Sequence, residues 1–259
     1  MIFETHAHYD DSAFADDRDE LLCSMAAGGI GRIINVGASI ESSKMALQLA
    51  EKYEYVYAAI GVHPSDISDL NDETFSWLQS ETVHPKVVAV GEIGLDYYWE
   101  KNPQIQERQR QWFQRQLVLA QECGLPVIIH SRDAAEDTMR ILKEQKPDSR
   151  ARGVIHCYSY SPEMAEEFVK LGYYIGVGGV VTFKNAKKLK ETVEKLPLER
   201  ILLETDCPYM APEPHRGTRN QSLYLPYVAD KIAELKGVTR EMVERVTWEN
   251  ALTLFERSA

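Results

Sequence analysis

The amino-acid sequence predicts an α/β protein, folded as a single (β/α)8 TIM barrel domain across residues 1–259. Three observations lead to this prediction. The length suits one barrel, which needs about 250 residues. Short runs rich in Val and Ile alternate with longer amphipathic runs, and no linker or low-complexity segment interrupts them. The first run ends in His-x-His, where an open doubly wound sheet usually carries a glycine-rich loop.

Eight short runs are predicted as strands. Most of them are nearly continuous apolar segments, which is typical of parallel strands covered on both faces. They lie near 2–6 and at 32–37, 56–61, 87–94, 126–130, 153–157, 173–179 and 200–206. The segment GVGGVV at 176–181 contains no GxGxxG and is interpreted as strand seven with its loop.

Amphipathic runs between these strands are predicted as helices. Examples are 41–52, 104–123 and 162–171. Gly124 and Gly172 follow the last two of these runs, and glycine is the common residue just after a helix end. From about residue 222 we expect two or three further helices that end at Phe255.

Composition and charge narrow the function classes. The net charge of −11 argues against nonspecific binding along duplex DNA, because such binding requires many Lys and Arg side chains. It does not exclude a nuclease that binds only one strand end. The four cysteines form no Cys-x-x-Cys pair, which argues against a disulfide framework or a structural zinc site. No apolar run reaches the ~20 residues of a membrane helix, and the start of the chain does not resemble a signal peptide. We therefore expect a cytoplasmic enzyme with no membrane contact and no stable protein partner.

Six histidine and carboxylate side chains fall at the carboxyl ends of predicted strands, where barrel active sites are built. They are His6, His8, Glu92, His130, His156 and Asp206. His6 and His8 are two residues apart on a strand, so both imidazoles point the same way. Polar and charged groups gathered at one rim normally require pairing or a metal. The sequence therefore predicts a metal centre built by these six residues.

The donor types and their number predict two divalent ions, Mg, Mn or Zn. Imidazole together with carboxylate suits several divalent metals, and Mg²⁺ where oxygen ligands dominate. Six ligands are too many for one tetrahedral ion with an open position. One ion is assigned to His6, His8 and Asp206. The other is assigned to His130 and His156, with Glu92 between the two ions.

These motifs resemble the TatD family of metal-dependent deoxyribonucleases, within the amidohydrolase-like barrels. The matching segments are ETHAHYD (4–10), GVHP (61–64), GEIGLDYY (91–98), IIHSRDA (128–134), IHCYS (155–159), LLETDCPYMAP (202–212) and HRGTRN (215–220). The resemblance covers essentially the whole chain and includes all six ligand positions. It implies a divalent-metal-dependent nuclease, commonly a 3′→5′ exonuclease. One departure concerns the local substrate contacts: the family usually continues RGxRNEP, and this chain has Gln221-Ser222.

His63 and three aromatic residues near the predicted site each have two interpretations. His63 could position a scissile phosphate or carbonyl, or could be a turn histidine bonded to backbone, and the family resemblance favours a catalytic role. Tyr97, Tyr98 and Trp99 follow strand four on the active-site side. They could stack bases of a single strand or cap the barrel as a hydrophobic plug. Tyr97 is taken as the candidate substrate contact.

Three arginines are candidate phosphate contacts, because planar guanidinium groups carry several donors. Arg132 follows His130, while Arg216 and Arg219 follow strand eight. The alternative is a salt bridge with a nearby carboxylate, and Arg132 and Arg216 are taken as substrate-binding candidates. Glu204 lies deeper in the barrel than Asp206 and is interpreted as structural.

The predicted reaction is metal-assisted hydrolysis of phosphodiesters at the single-stranded end of a nucleic acid. Two ions lower the pKa of a shared water, and Asp206 orients the nucleophile and accepts its proton. An ester or amide hydrolase, such as a deacylase of aminoacyl-tRNA, could use the same site. A one-zinc nucleoside deaminase is disfavoured because that reaction needs no bridging Glu92. A catalytically silent binding protein is disfavoured by the complete ligand set.

Overall fold

Eight parallel strands form a nearly closed barrel in the computed structural model, which describes residues 1–145 and 152–256. The strands are β1 (Ile2–Ala7), β2 (Ile30–Val36), β3 (Val56–Ile60), β4 (Val87–Asp96), β5 (Val127–Arg132), β6 (Gly153–Ile155), β7 (Tyr174–Val177) and β8 (Ile201–Leu203). Each strand pairs in parallel with the next in chain order. Ala7 and Cys207 form a parallel bridge that joins β1 to the segment after β8. The (β/α)8 prediction is confirmed.

Among the described residues, seven α-helices alternate with the strands and two more follow the last strand, where two or three helices were expected. They are α1 (Arg18–Ser24), α2 (Ile40–Lys52), α3 (Asp72–Glu81), α4 (Pro103–Cys123), α5 (Ala135–Glu144), α6 (Pro162–Lys170), α7 (Lys187–Lys195), α8 (Leu225–Lys236) and α9 (Arg240–Phe255). The side chain of Asn102 accepts from the backbone N–H of Gln104 and caps the start of α4. Gly124 ends this helix in the left-handed conformation, with φ 66°.

One end of the barrel is closed by the last helix. A buried cluster joins Phe3, Ile128 and Leu202, each the second residue of its strand, to Leu254 and Phe255 of α9. The carboxyl ends of the strands therefore remain the accessible end of the barrel. Within the described part of the chain, no helix combines the length and apolar character needed to span a membrane.

Strand boundaries near the predicted site differ from those expected. β4 continues to Asp96, so Glu92 lies inside the strand and not near its end. β8 stops at Leu203, so Asp206 lies three residues beyond it. Gly94 explains the length of β4, because a Cβ at this position would lie 1.9 Å from the carbonyl oxygen of His130 on the neighbouring strand.

Candidate metal centre

The side chains of His6, His8 and Asp206 meet at the seam between β1 and the segment after β8. The two imidazole Nε2 atoms are 3.0 Å apart. Asp206 Oδ1 lies 3.4 Å from His8 Nε2 and 3.6 Å from His6 Nε2. Backbone bonds hold this arrangement, since the Asp206 N–H donates to the His6 carbonyl at 2.9 Å. His8 lies one residue beyond β1, and its imidazole points to the same side as that of His6, as the alternation of an extended chain predicts.

Glu92 lies between two groups of histidines. Its Oε2 is 3.5 Å from His6 Nε2 and 3.7 Å from His8 Nε2. Its Oε1 is 2.9 Å from His130 Nδ1 and 3.4 Å from His156 Nε2. Oε1 also lies 3.7 Å from His63 Nε2, so the two carboxylate oxygens face different sets of imidazoles, an arrangement in which the carboxylate could join two ions.

The spacing and chemistry of these donor atoms fit divalent ions. Bonds of about 2.0–2.2 Å to one ion place neighbouring donors roughly 3–3.6 Å apart. His8 Nδ1–H donates to the Val36 carbonyl at 2.8 Å, which leaves Nε2, directed at His6, as the nitrogen that could bind an ion once it is deprotonated. Among the described residues, the Nδ1 atoms of His6 and His156 have no hydrogen-bond partner, while the Nε2 atoms of both rings face the carboxylates of the cluster. Several overlapping groups in this cluster bring three potential ligand atoms within 4.8 Å of one another.

Two further carboxylates stand behind the histidines of the second group. Asp96 Oδ2 accepts from His130 Nε2 at 3.0 Å, which leaves Nδ1 directed at Glu92. Glu204 Oε1 accepts the backbone N–H of Cys157 at 2.6 Å and lies at the ion-pair distance of 3.4 Å from His156 Nδ1, without a hydrogen bond to it. A carboxylate on the outer nitrogen of a ligating histidine fixes the ring and raises its basicity. Sequence reasoning missed the contact of Asp96 and interpreted Glu204 as structural.

The Glu204 carboxylate lies over a glycine of the neighbouring strand. A Cβ at Gly176, on the neighbouring β7, would lie 2.2 Å from Glu204 Oε2. The missing side chain at Gly176 thus makes room for the carboxylate. Glycine within a strand often marks such a close approach, and this is the signal from which the contact could have been inferred.

Burial and neighbouring charges shift the pKa values of this cluster in opposite directions. Burial by itself would lower the pKa of His156, but Glu204, Glu92 and Asp206 raise it to about 10. Burial likewise opposes protonation of His8, yet Asp206 and Glu92 raise its pKa to about 9. Burial opposes ionisation of Glu92, but the surrounding histidines hold its pKa well below the usual value. The neighbouring histidines likewise lower the pKa of Asp206 against the effect of burial, so Glu92 and Asp206 are ionised and attract cations.

His63 approaches the cluster from the loop after β3. Its Nε2 is 3.7 Å from Glu92 Oε1. Its Nδ1 accepts from the backbone N–H of Ser65 at 3.1 Å, so the neutral ring carries its proton on Nε2 and presents a donor to the site. Burial and neighbouring His130 lower the pKa of His63 to about 4, which keeps the ring neutral.

A buried hydrogen-bond network lies beneath the cluster and includes the position where this chain departs from the family pattern. Glu4 accepts from Thr205 Oγ1 at 2.7 Å and from Ser222 Oγ at 2.9 Å. Tyr9 donates to the same Ser222 hydroxyl at 2.8 Å. Ser222, one of the two residues that depart from the family pattern, is therefore buried at the seam between β1 and the segment after β8.

The cluster forms the floor of a cavity of about 560 Å³. Glu92, His130, His156 and Asp206 line it together with His8 and His63, which is where they were expected. Arg132 is the one Lys or Arg among the described residues that line it.

Other expected substrate contacts lie elsewhere. The Tyr97 hydroxyl donates to Asp137 at 2.7 Å and is outside the cavity lining. Arg216 lies over the Phe183 ring at 4.3 Å, also outside the cavity lining. Arg219 makes two hydrogen bonds to Asp17, at 2.7 and 2.6 Å. The partner of Arg219 is thus a carboxylate about 200 residues away in sequence, so the sequence around Arg219 could not reveal this pair.

Barrels with imidazole and carboxylate donors at the carboxyl ends of their strands are suited to metal-dependent hydrolysis. This chain is a metal-dependent hydrolase, as the following comparisons show. The sequence model of the protein family TatD related DNase matches residues 3–256 of this chain. The chain belongs to the TatD family, as the sequence motifs predicted.

Individual relatives align along almost their entire length. The metal-dependent hydrolase YabD of Bacillus subtilis (strain 168) is 45% identical over 255 residues, covering 98% of this chain and 99% of YabD. The 3'-5' ssDNA/RNA exonuclease TatD of Salmonella typhimurium is 33% identical over 260 residues, covering 98% of this chain and 99% of that protein. The crystal structure of YjjV, a TatD homologue from Escherichia coli K12, has a TM-score of 0.92 at 37% identity, covering 99% of this chain and 98% of that one.

Proposed function

We propose that this protein is a divalent-metal-dependent nuclease that removes nucleotides from the 3′ end of single-stranded DNA or RNA. The observation that carries the proposal is the position of Glu92, whose two oxygens face different sets of imidazoles. Centres with two bridged ions are common in phosphatases, polymerases and nucleases. The Salmonella relative named as an exonuclease supports nucleic acid as the substrate.

The six donors divide between two ions. His6, His8 and Asp206 would hold one ion, and His130 with His156 would hold the other. Glu92 would join them through its two oxygens. Ions bound there would act as Lewis acids on a phosphate oxygen and lower the pKa of an attacking water.

The residues of the chain supply positioning and proton transfer. The Asp206 carboxylate is held by the backbone at the seam, from where it orients the attacking water and accepts its proton. The Nε2–H of His63 donates to an oxygen of the scissile phosphate. It is suited to this role because Ser65 occupies Nδ1 and the ring stays neutral. Arg132 lines the cavity mouth and pairs with a flanking phosphate.

The negative charge of the molecule favours a single-strand end as the substrate over an extended duplex. The chain carries a net charge of −11, and its cavity is lined by several carboxylates. Duplex binding depends on neutralising many phosphates with Lys and Arg. A duplex terminus would also have to fray before entering the cavity, which costs roughly 1.4 kcal/mol per base-pair step. We therefore expect faster processing of single strands than of blunt duplexes.

The direct test uses a 5′-labelled single-stranded oligonucleotide with Mg²⁺ or Mn²⁺. Successive 3′ trimming should give a ladder, and a closed circular single strand should resist cleavage. Equal cleavage of circular and linear strands would show an endonuclease and contradict the end-processing mode. If neither strand is cut while an acyl ester or aminoacyl-tRNA is hydrolysed, the enzyme acts on carbon centres with the same donors.

A further inference from the structure

Two aromatic side chains next to the cavity mouth are open to solvent. Tyr98 is 44% exposed and Trp99 is 71% exposed, immediately after β4. Their rings meet edge to face, with centroids 4.8 Å apart and planes at 85°. A tryptophan this exposed covers little of the barrel core, so it does not act as a hydrophobic plug. Exposed aromatic surface of this kind commonly marks a binding site.

The turn that carries these two rings is fixed to the donor cluster by one buried carboxylate. Asp96 Oδ1 accepts the backbone N–H groups of Tyr98 and Trp99, both at 2.9 Å. Asp96 Oδ2 accepts from His130 Nε2 at 3.0 Å. The position of the aromatic pair is therefore tied to that of a candidate metal ligand.

Positive charge lies beside the aromatic pair. The guanidinium carbon of Arg132 is 3.9 Å from the Tyr98 ring centroid and 5.6 Å from that of Trp99. Among the described residues, no carboxylate forms an ion pair with Arg132, whose guanidinium lies against the aromatic rings at the cavity, so its donors are available to an anion. Lys101 Nζ lies 5.8 Å from the Tyr98 ring.

The distance from this cation to the donor cluster is set by strand geometry. Arg132 lies two residues after His130 on β5, so their Cα atoms are separated by roughly 7 Å at the rise of a parallel strand. Both residues line the same cavity. A chain whose scissile phosphate lies at the donor cluster can therefore reach Arg132 with a neighbouring phosphate.

We propose that Trp99, supported by Tyr98 and Arg132, forms a nucleotide subsite. A base of the substrate strand stacks on the Trp99 indole, and Arg132 binds the adjoining phosphate. This assignment rests on the proposed function and deepens it, because it places the stacking contact at Trp99 and not at Tyr97. Stacking accepts the π-face of any base, so the subsite favours single strands with little sequence preference.

The test compares Trp99→Ala and Trp99→Phe with the wild-type protein on two oligonucleotides. One has normal bases, and the other lacks the bases of its 3′-terminal nucleotides. On the normal strand, Trp99→Ala should raise KM at least about fivefold, the lower range for loss of one stacked base. The kcat should change less than about twofold, because the contact binds ground state and transition state alike. Trp99→Phe retains a π-face and should recover most of the loss.

The abasic strand separates stacking from a general structural effect. On it the wild-type protein and Trp99→Ala should have the same KM. Met242→Ala is the control, since Met242 is 40% exposed on α9 at the closed end of the barrel. It should match the wild type on both strands.

The outcomes distinguish this inference from the proposed function. If the wild type trims the normal strand and Trp99→Ala has the same KM, the subsite is wrong and the nuclease proposal stands. If the KM penalty persists on the abasic strand, Trp99 does not act by stacking and the subsite is equally wrong. If the wild type cuts neither strand with Mg²⁺ or Mn²⁺, the proposed function fails and the subsite fails with it.

Discussion

The donor cluster and the rim of the cavity differ in how firmly their side chains are held. In the cluster, His8 is fixed by the Val36 carbonyl and His130 by Asp96. At the rim, Trp99 is exposed, and the guanidinium of Arg132 rests on an aromatic ring with no carboxylate partner among the described residues. Side chains whose surroundings fix one orientation suit the reacting centre. Open side chains suit a substrate whose bases vary.

Because of this difference, we expect substitutions in the donor cluster to have larger effects on activity than substitutions at the rim. Changes among the buried donors should alter turnover or metal affinity by large factors. Changes at the rim should alter KM by smaller factors and leave turnover intact.

The largest effect is expected for Asp206→Asn. The amide keeps the size of the side chain but cannot accept the proton of the attacking water. Turnover on a single-stranded oligonucleotide at saturating Mn²⁺ should fall at least ~100-fold. Folding should survive, because Asp206 has φ 58° and Asn tolerates this left-handed conformation. A melting temperature near the wild-type value checks the fold, and near-normal turnover would refute the role of Asp206.

The next effect concerns Glu204 and metal affinity. In Glu204→Gln the amide oxygen still accepts the Cys157 N–H, but the charge that faces His156 Nδ1 is removed. Replacing an outer partner of a ligating histidine typically weakens metal binding ~10–100-fold. Titration with Mn²⁺, followed by the electron paramagnetic resonance signal of the free ion, measures the change directly.

Glu213→Gln is the matched control for Glu204→Gln, because Glu213 is an exposed carboxylate in the loop after β8. It should bind Mn²⁺ like the wild type. An unchanged Kd in Glu204→Gln would show that the carboxylate serves the fold alone.

Metal affinity should also depend on pH. In the metal-free protein, the neighbouring carboxylates raise the pKa of His8 to about 9 and that of His156 to about 10. Both imidazoles therefore hold protons at pH 7 that a divalent ion must displace. The apparent affinity should rise between pH 7 and 9, by up to about tenfold per pH unit for each proton released. Calorimetry in two buffers with different ionisation enthalpies counts these protons, and a pH-independent Kd would contradict the account.

The smallest effects are expected at the rim, where two arginines can be compared. Arg132→Gln should raise the KM for an oligonucleotide about tenfold, because it removes a charge-assisted phosphate contact at the cavity. Arg216→Gln should change KM less than about threefold, because Arg216 lies over Phe183 outside the cavity lining. The reverse order of effects would show that the strand leaves the cavity on the Arg216 side.

Strand periodicity explains why the donors were predictable. Residues two apart on an extended chain point the same way, which holds for His6 in β1 and for His8 just after it. The strand order brings distant donors to one end of the barrel. Asp206 joins them even though β8 ends three residues earlier, because its N–H bonds to the His6 carbonyl.

Loop and packing contacts explain what the sequence did not reveal. Tyr97, Tyr98 and Trp99 are consecutive aromatics without a repeating pattern, so only the structure shows that Tyr97 binds Asp137 while Trp99 stays open. The contact of Glu204 with His156 depends on the space left at Gly176, one strand away.

Metal stoichiometry tests most directly whether Glu92 bridges two ions, as proposed. Metal-free protein reconstituted with Mn²⁺ should saturate at two ions per chain. Their electron paramagnetic resonance spectrum should show the magnetic coupling of ions about 3.5–4 Å apart. Glu92→Gln should reduce or abolish that coupling, since one oxygen becomes a poorly ligating amide nitrogen. Saturation at one ion per chain, or two ions with no magnetic coupling in the wild-type protein, would contradict the bridged centre.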